Sequence, residues 1–158
     1  MMIEKIISGG QTGVDRASLD AALAAGIEIG GWCPAGRYAE DGPIAEKYPL
    51  QSSDDLDHTV RTENNVRDSD GTLAIYRQHL RGGTAYAVEM ARQLGKAVLA
   101  IDMNSPPPVS TVVDWVSRHQ LHVIHIGGQR ESTSPGIYVQ ARAFIADVLS
   151  ACQQEPDS

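Results

Sequence analysis

The residues best suited to chemistry lie in a glycine-rich turn near the start of the chain, Ser8-Gly9-Gly10-Gln11-Thr12-Gly13-Val14-Asp15-Arg16. The turn falls between a short apolar run and a segment with helical spacing. Glycines adopt positive φ and let a ligand approach the backbone, while the N–H groups and the dipole of a helix start attract an anion. We therefore predict an anion-binding turn. A tight structural turn with Asp15 as helix N-cap is the alternative.

The spacing within this turn excludes two common nucleotide sites. The glycines do not follow the GxGxxG pattern, and no P-loop lysine comes after the last of them. Neither a standard dinucleotide fingerprint nor an NTPase is therefore predicted.

Two more glycine pairs follow apolar runs later in the chain, in Arg81-Gly82-Gly83-Thr84 and in Gly127-Gly128-Gln129-Arg130-Glu131-Ser132. Strands of a parallel sheet end at one common edge, and ligands of open α/β sheets bind there, at the point where the strand order reverses. Three glycine turns at one edge predict a site for a phosphate-bearing small molecule.

Arginines near this edge supply positive charge, and a guanidinium binds phosphate through two parallel hydrogen bonds. The candidates are Arg16, Arg37, Arg61 and Arg130. Each alone is better explained as a solvated surface residue. Arg61 is the best placed, because the helix predicted to contain it begins at the carboxyl edge of the sheet.

The histidines and cysteines predict no metal site coordinated by the protein. The five histidines lack HxH or HExxH spacing, and His122 and His125 would point to opposite faces of a strand. The two cysteines, Cys33 and Cys152, form no CxxC pair. Cys33 could reach the site, but a lone cysteine is more often a small buried apolar residue.

The elements that position these residues alternate between strand and helix along the chain. Short apolar runs predict strands at Ile3–Ile7, Ile27–Gly31, Thr72–Tyr76, Ala97–Ile101 and Leu121–Ile126. Helical spacing predicts helices over Asp15–Ala25, about Leu56–Arg67, Thr84–Leu94, Thr111–His119 and Pro135–Leu149. Alternation of this kind indicates an α/β fold with a mostly parallel sheet and helices on both faces.

We expect one ligand-binding domain over residues 1–150 and a flexible tail over 151–158. The stretch from Trp32 to about Asp55 is too long for an ordinary loop, and we interpret it as a lid or rim of the site. The tail begins with CQQEPDS after Ala151 and has little to bury.

The composition and charge of the chain limit the classes of partner that it can bind. The chain has 158 residues, 42% of them hydrophobic, which suffices for one core without disulfides. Its formal net charge of -7 opposes broad binding to nucleic acid or to anionic membranes. No run is long enough for a membrane span, and the N-terminus lacks the features of a signal peptide. We expect a cytoplasmic protein.

Several ordered motifs resemble the molybdenum-cofactor carrier family, a circularly permuted branch of the SLOG superfamily. They are ISGGQTGVDRASLDAAL, GGWCPAGRYAEDGPI, RTENNVRDSDGTL, GGT and GGQRESTSPGIY, and they span residues 6–138. The resemblance implies a single-domain Rossmann-like fold, self-association as a dimer or tetramer, and binding of the molybdenum cofactor or a nucleotide. The ligand-binding residues that it implies, together with those predicted above, are Gly9, Gly10, Gln11, Thr12, Gly13, Arg16, Arg61, Asn65, Gly82, Gly83, Thr84 and Arg130. Gln129 replaces the proline of the family's C-terminal motif, which should loosen the third turn.

An enzymatic alternative comes from a relative in the superfamily. Nucleoside-monophosphate phosphoribohydrolases that activate cytokinins carry GGxGTxxE, whose glutamate acts on the ribose. Gly82, Gly83 and Glu89 match that spacing here, but Ala85 and Tyr86 replace the second glycine and the threonine. The resemblance therefore favours a binding protein over a hydrolase.

Overall fold

A computed structural model describes residues 3–54 and 58–154 of the chain. The elements in chain order are β1 (Lys5–Ile7), α1 (Val14–Ala24), β2 (Glu28–Gly30), β3 (Trp32–Cys33), β4 (Tyr38–Ala39), β5 (Gly42–Pro43), β6 (Gln51–Ser52), α2 (His58–Arg67), β7 (Gly71–Tyr76), α3 (Gly82–Gln93), β8 (Ala97–Asp102), α4 (Val109–His119), β9 (Val123–Gly128) and α5 (Ile137–Gln154). The five predicted strands and five predicted helices are all present, and their ends differ from the predicted ones by at most five residues. Residues 56 and 57 of the second predicted helix lie outside the described residues.

The central sheet has five parallel strands in the order β2-β1-β9-β7-β8. The chain moves outward from β1 to β2 on one side and from β7 to β8 on the other, and β9 returns between β1 and β7. The strand order therefore reverses at the centre of the sheet. The single-domain, Rossmann-like α/β fold is as predicted.

Helices cover both faces of this sheet. Helices α1, α4 and α5 pack together on one face, whereas α2 and α3 pack together on the other. The main hydrophobic core lies on the first face and includes Leu73 and Ile75 of β7. The second face holds only a small apolar cluster of Val66, Ala87 and Ala91. Less apolar packing on that face leaves room for a cavity.

The last helix extends farther than the sequence suggested. Helix α5 runs to Gln154, and Cys152 is buried. The side-chain amide of Gln153 bonds the backbone of Ile3, accepting from its N–H at 2.9 Å and donating to its carbonyl at 3.3 Å. The predicted flexible tail is therefore wrong for residues 151–154, because these contacts hold the last turn on the core. Residues 155–158 lie outside the described residues.

The long stretch after β2 is ordered by two short strand pairs. Strand β3 pairs with β6 in parallel, and β4 pairs with β5 in antiparallel orientation. Arg37 donates to the carbonyls of Leu50, Tyr48 and Ala45 at 2.6, 2.9 and 3.0 Å. This arginine, a predicted charge donor to the ligand edge, thus holds its own loop together. Asp55, at the end of the predicted lid or rim, lies outside the described residues.

Candidate functional site

A cavity of about 300 Å³ opens at the carboxyl ends of β1, β9 and β7 and continues between the sheet and helices α2 and α3. This is the point where the strand order reverses, as predicted for an open α/β sheet. Its lining consists of Gly9, Gln11, Asp15, Arg61, Thr62, Asn65, Thr72, Ala74, Arg81, Gly82, Gly83, Thr84, Ala87, His125, Gly127, Gly128, Gln129, Arg130 and Thr133.

The floor of the cavity is formed by alternate residues of two neighbouring strands. Thr72 and Ala74 come from β7, and His125 and Gly127 come from β9. Alternate residues of a strand share one face, so all four point toward α2 and α3. The Thr72 hydroxyl lies 3.2 Å from His125 Nδ1, and both side chains are buried. Small and polar residues here replace the large apolar side chains of the opposite face.

Arg61 extends from α2 across the backbone at Gly9. A Cβ on Gly9 would lie 2.3 Å from Arg61 Nη1, so only glycine leaves space for the guanidinium. The Arg61 side chain is 13% exposed, and its Nη1 lies 4.0 Å from Asp15 Oδ2. Its Nε–H has no hydrogen-bond acceptor among the described residues. A buried, incompletely paired guanidinium favours binding of an anion.

Asp15 lies in the first turn of α1 and is buried beside Arg61. Its Oδ2 accepts a hydrogen bond from the Gln11 backbone N–H at 3.3 Å. Burial raises the pKa of Asp15 to about 6, although Arg61 and the backbone N–H groups of Gln11 and Gly128 lower it. The helix N-cap is Gly13, so the alternative of Asp15 as N-cap is wrong. The cavity contains a buried carboxylate that is ionised at neutral pH.

His125, on the floor, is the second buried titratable group that lines the cavity. Burial and the nearby Arg61 charge lower the pKa of His125 to about 4. The imidazole is therefore neutral at physiological pH and offers one donor or acceptor nitrogen to the cavity.

The start of α3 lies at the mouth of the cavity. Its N-cap is Arg81, whose side chain makes no capping hydrogen bond. A Cβ built on Gly82 or Gly83 would have no described heavy atom within 4 Å, so the first turn is open. The backbone N–H groups and dipole of this helix start attract an anion.

The first glycine-rich turn uses its backbone donors within the protein. The Gln11 N–H donates to Asp15, the Thr12 N–H donates to Gln11 Oε1 at 3.0 Å, and the Val14 N–H donates to the Gln129 carbonyl at 3.1 Å. This turn therefore presents Gly9 and the Gln11 side chain to the cavity rather than a ring of N–H groups.

The structure brings eight of the twelve predicted ligand-binding residues to the cavity. They are Gly9, Gln11, Arg61, Asn65, Gly82, Gly83, Thr84 and Arg130. Asn65 also has a structural role, because its amide accepts from the Trp32 N–H at 2.7 Å and donates to the Trp32 carbonyl at 3.0 Å.

The other four predicted residues point elsewhere. A Cβ on Gly10 would lie 2.6 Å from Leu50, inside the apolar core. Thr12, Gly13 and Arg16 line a separate, open depression on the outer side of the turn. Arg16 is paired there with Asp41 at 3.0 Å.

The third turn is fixed more firmly than predicted. Gln129 accepts from the Arg77 N–H at 2.9 Å and donates to the Arg77 carbonyl at 3.3 Å. The expectation that Gln129 loosens this turn is therefore wrong, since its side chain replaces a rigid proline with two hydrogen bonds. Arg130 lies 3.8 Å from Glu40 of the long loop.

Sequence reasoning missed the cavity floor and one charge at the mouth, namely Asp15, Thr72, His125 and Arg81. The signal for Thr72 and His125 was a polar residue within an otherwise apolar strand. Glu89, the acid suggested by the enzymatic alternative, is exposed and accepts from Gln93 at 3.4 Å, outside the residues that line the cavity.

Residues 3–54 and 58–154 contain no group of three or more His, Cys, Asp or Glu side chains placed to hold a metal ion. Within the same residues, no helix is both long and apolar enough to span a membrane.

Known proteins resemble the chain over nearly its whole length. The model of the circularly permutated YpsA SLOG family matches residues 6–149. The crystal structure of a candidate molybdenum carrier protein from Syntrophus aciditrophicus SB matches with a TM-score of 0.86 and 42% sequence identity, over 93% of this chain and 94% of that chain. No curated protein matches the chain significantly.

Proposed function

The chain belongs to the circularly permutated YpsA SLOG family, and from this premise we propose that it binds a phosphate-bearing ligand of nucleotide-like or pterin type, as a molybdenum-cofactor carrier-type protein. The observation that carries the proposal is the meeting of two anion-binding features in one cavity. The open start of α3 lies at its mouth, and the buried guanidinium of Arg61 lies in its wall.

The phosphate group belongs at the mouth in this proposal. Arg81 and Arg130 line the cavity together with Gly82 and Gly83. The helix start supplies N–H donors, and the arginines supply charge in an otherwise acidic protein. The attraction for the phosphate group therefore comes from groups close to the mouth, and it should weaken as added salt screens the exposed charges.

The cavity size suits an organic ligand better than a bare ion. Its volume of about 300 Å³ lies at the lower end of the range for small-molecule pockets, on the order of 300–1,000 Å³. A pterin phosphate or a nucleoside monophosphate would place its ring between the sheet and α2. The name of the related structure supports the molybdenum cofactor as the cargo.

We propose that the protein works in the cytoplasm as a homo-oligomer, a dimer or tetramer, without binding nucleic acid or membrane. Native mass spectrometry of freshly purified protein measures the oligomer mass and detects any small molecule that purifies with it.

The test of the binding site is Arg61→Ala. Removing a charge-assisted hydrogen bond should weaken binding of inorganic phosphate and of nucleoside monophosphates, measured by calorimetry, by about 1.5–3 kcal/mol. The matched control is Arg118→Ala, because Arg118 is exposed on α4, on the other face of the sheet. Equal affinity of wild type and Arg61→Ala, with both proteins folded, would contradict the proposed site.

A further inference from the structure

The wall of the cavity holds a cation and a carboxylate side by side. Arg61 and Asp15 both line the cavity, and Arg61 Nη1 lies 4.0 Å from Asp15 Oδ2. Their side chains are only 13% and 10% exposed. Opposite charges this close stabilise the charged form of each other, and burial strengthens the effect. The guanidinium that should bind the anion of a ligand therefore already balances a negative charge of the protein.

The Oδ2 atom of Asp15 is occupied on the side that faces Arg61. It accepts the Gln11 N–H at 3.3 Å. The space over Gly9 beside it is filled by the guanidinium, because a Cβ on Gly9 would lie 2.3 Å from Arg61 Nη1 and 3.0 Å from Asp15 Oδ2. An anion that binds Arg61 therefore acts on Oδ2 through its charge rather than through a hydrogen bond.

The charged and titratable groups around Asp15 come from several elements. Burial raises the pKa of Asp15 to about 6 against the opposing charges of Arg61 on α2 and Arg16 on α1. Burial also lowers the pKa of His125 on β9 to about 4, so this imidazole is neutral at pH 7. Arg130 of the third turn lines the cavity as well. Of these groups, Asp15 is the one that one further negative charge brings to titrate near neutral pH.

We propose, on the basis of the proposed function, that Asp15 takes up a proton when an anion binds at Arg61, so that the protein binds the anion and a proton together. A hydrogen-bonded anion lies within about 9 Å of the carboxylate, because the guanidinium begins 4.0 Å from it. A unit negative charge at that distance raises the proton affinity of Asp15 roughly tenfold or more. The proton comes from the solvent. By linkage, a lower pH strengthens anion binding and a higher pH weakens it.

Calorimetry with sulfate at pH 6, 7 and 8 measures this coupling in the wild type. Sulfate stays a dianion over the whole range, so any change in its affinity comes from the protein. The affinity should fall roughly fivefold or more from pH 6 to pH 8. Titrations at pH 7 in buffers of different ionisation enthalpy should show the uptake of about half a proton or more for each sulfate bound.

Asp15→Asn removes the titrating group and nearly keeps its shape. This variant should bind sulfate without proton uptake and with the same affinity at pH 6 and pH 8. At pH 8 it should bind sulfate roughly tenfold more tightly than wild type, because the competing charge beside Arg61 is gone. Asp41→Asn is the matched control, since Asp41 pairs with Arg16 on the outer side of the first turn. It should keep the pH dependence of wild type.

Two histidine variants decide the question if Asp15→Asn does not fold. His125 lies on the cavity floor, and His79 lies on the exposed loop before α3. His125→Gln and His79→Gln should each keep the proton uptake of wild type. Loss of the uptake in either variant would assign the proton to that histidine and overturn the role of Asp15.

The outcomes separate this inference from the proposed function. Binding of sulfate to wild type without proton uptake overturns the coupling, and so does an uptake that persists in Asp15→Asn. Failure of both sulfate and inorganic phosphate to bind the wild type overturns the proposed function instead.

Discussion

Two buried residues that line the cavity respond to pH in opposite directions. Asp15 has its pKa raised from 3.8 to about 6, and His125 has its pKa lowered from 6.5 to about 4. Between pH 4 and 6 the folded state holds a proton on Asp15 that the unfolded state has lost. Over nearly the same range the unfolded state holds a proton on His125 that the folded state lacks.

The two contributions to stability should therefore nearly cancel. As pH rises from 4 to 6, Asp15 lowers the free energy of unfolding by on the order of 3 kcal/mol, and His125 raises it by a similar amount. A variant that lacks one of the two groups should therefore show the pH dependence that the other group gives to the free energy of unfolding. Relative to wild type, Asp15→Asn should gain stability as pH rises through this window, and His125→Gln should lose it. Urea unfolding at several pH values measures both, and parallel curves for all three proteins would refute the shifts.

Single residues were predictable where local position decides their role. Arg61 follows from its place near the start of a helix at the ligand edge, and the cavity contains it. Asp15 was not predicted to be a cavity residue, because an aspartate after a glycine turn is typical of a helix cap. Its carboxylate lies beside Arg61 and Gly127, and neither neighbour is close in sequence.

At the scale of elements, the three glycine turns look alike in sequence but have different roles. A Cβ on Gly13 would lie 2.3 Å from the Gln129 carbonyl, and one on Gly128 would lie 2.1 Å from the Ile75 carbonyl. Those glycines let the first and third turns pack closely against neighbouring backbone. A Cβ on Gly83 has no described atom within 4 Å, so the second turn is open for a ligand.

This difference predicts opposite responses to the same substitution. Gly128→Ala should destabilise the fold by about 1–3 kcal/mol, because the methyl overpacks against Ile75 and Val14. Gly83→Ala should stabilise it by about 0.5–1 kcal/mol, because alanine suits a helix better and meets open space. Chemical denaturation of the two variants beside wild type measures both changes. A similar loss in both would show that the second turn is also closely packed.

The elements themselves were predictable to different extents. The five central strands were apparent as buried apolar runs, and all five are present. Strands β3 to β6 were not, because two residues are too few to display a period. They depend on Arg37, whose guanidinium binds carbonyls up to thirteen residues away. Contacts of that kind leave no local signal in the sequence.

For the whole molecule, acidic residues of the long loop lie beside two arginines of the outer turns, whereas Arg61 lies in the cavity wall. Arg16 pairs with Asp41, and Arg130 lies near Glu40, both outside the cavity floor. Within residues 3–54 and 58–154, the acidic partner of Arg61 is Asp15, at 4.0 Å. A net charge of -7 therefore coexists with a site for an anion. The alternation of elements predicted the parallel sheet, but the position of β9 between β1 and β7 depends on long-range pairing that alternation does not specify.

The same whole-molecule view separates a carrier from a hydrolase, and we expect no useful release of base from AMP or GMP. A hydrolase needs an acid or base within hydrogen-bond reach of the sugar, and about 1 Å of misplacement can cost a hundredfold in rate. Glu89 lies on the exposed side of α3, beside Gln93 rather than in the cavity. AMP and GMP are incubated with wild type or with Glu89→Gln, and the free base is measured by chromatography. Both proteins should release the same negligible amount. Turnover near 1 s⁻¹, roughly the lower end for enzymes, that Glu89→Gln abolishes would establish a hydrolase instead.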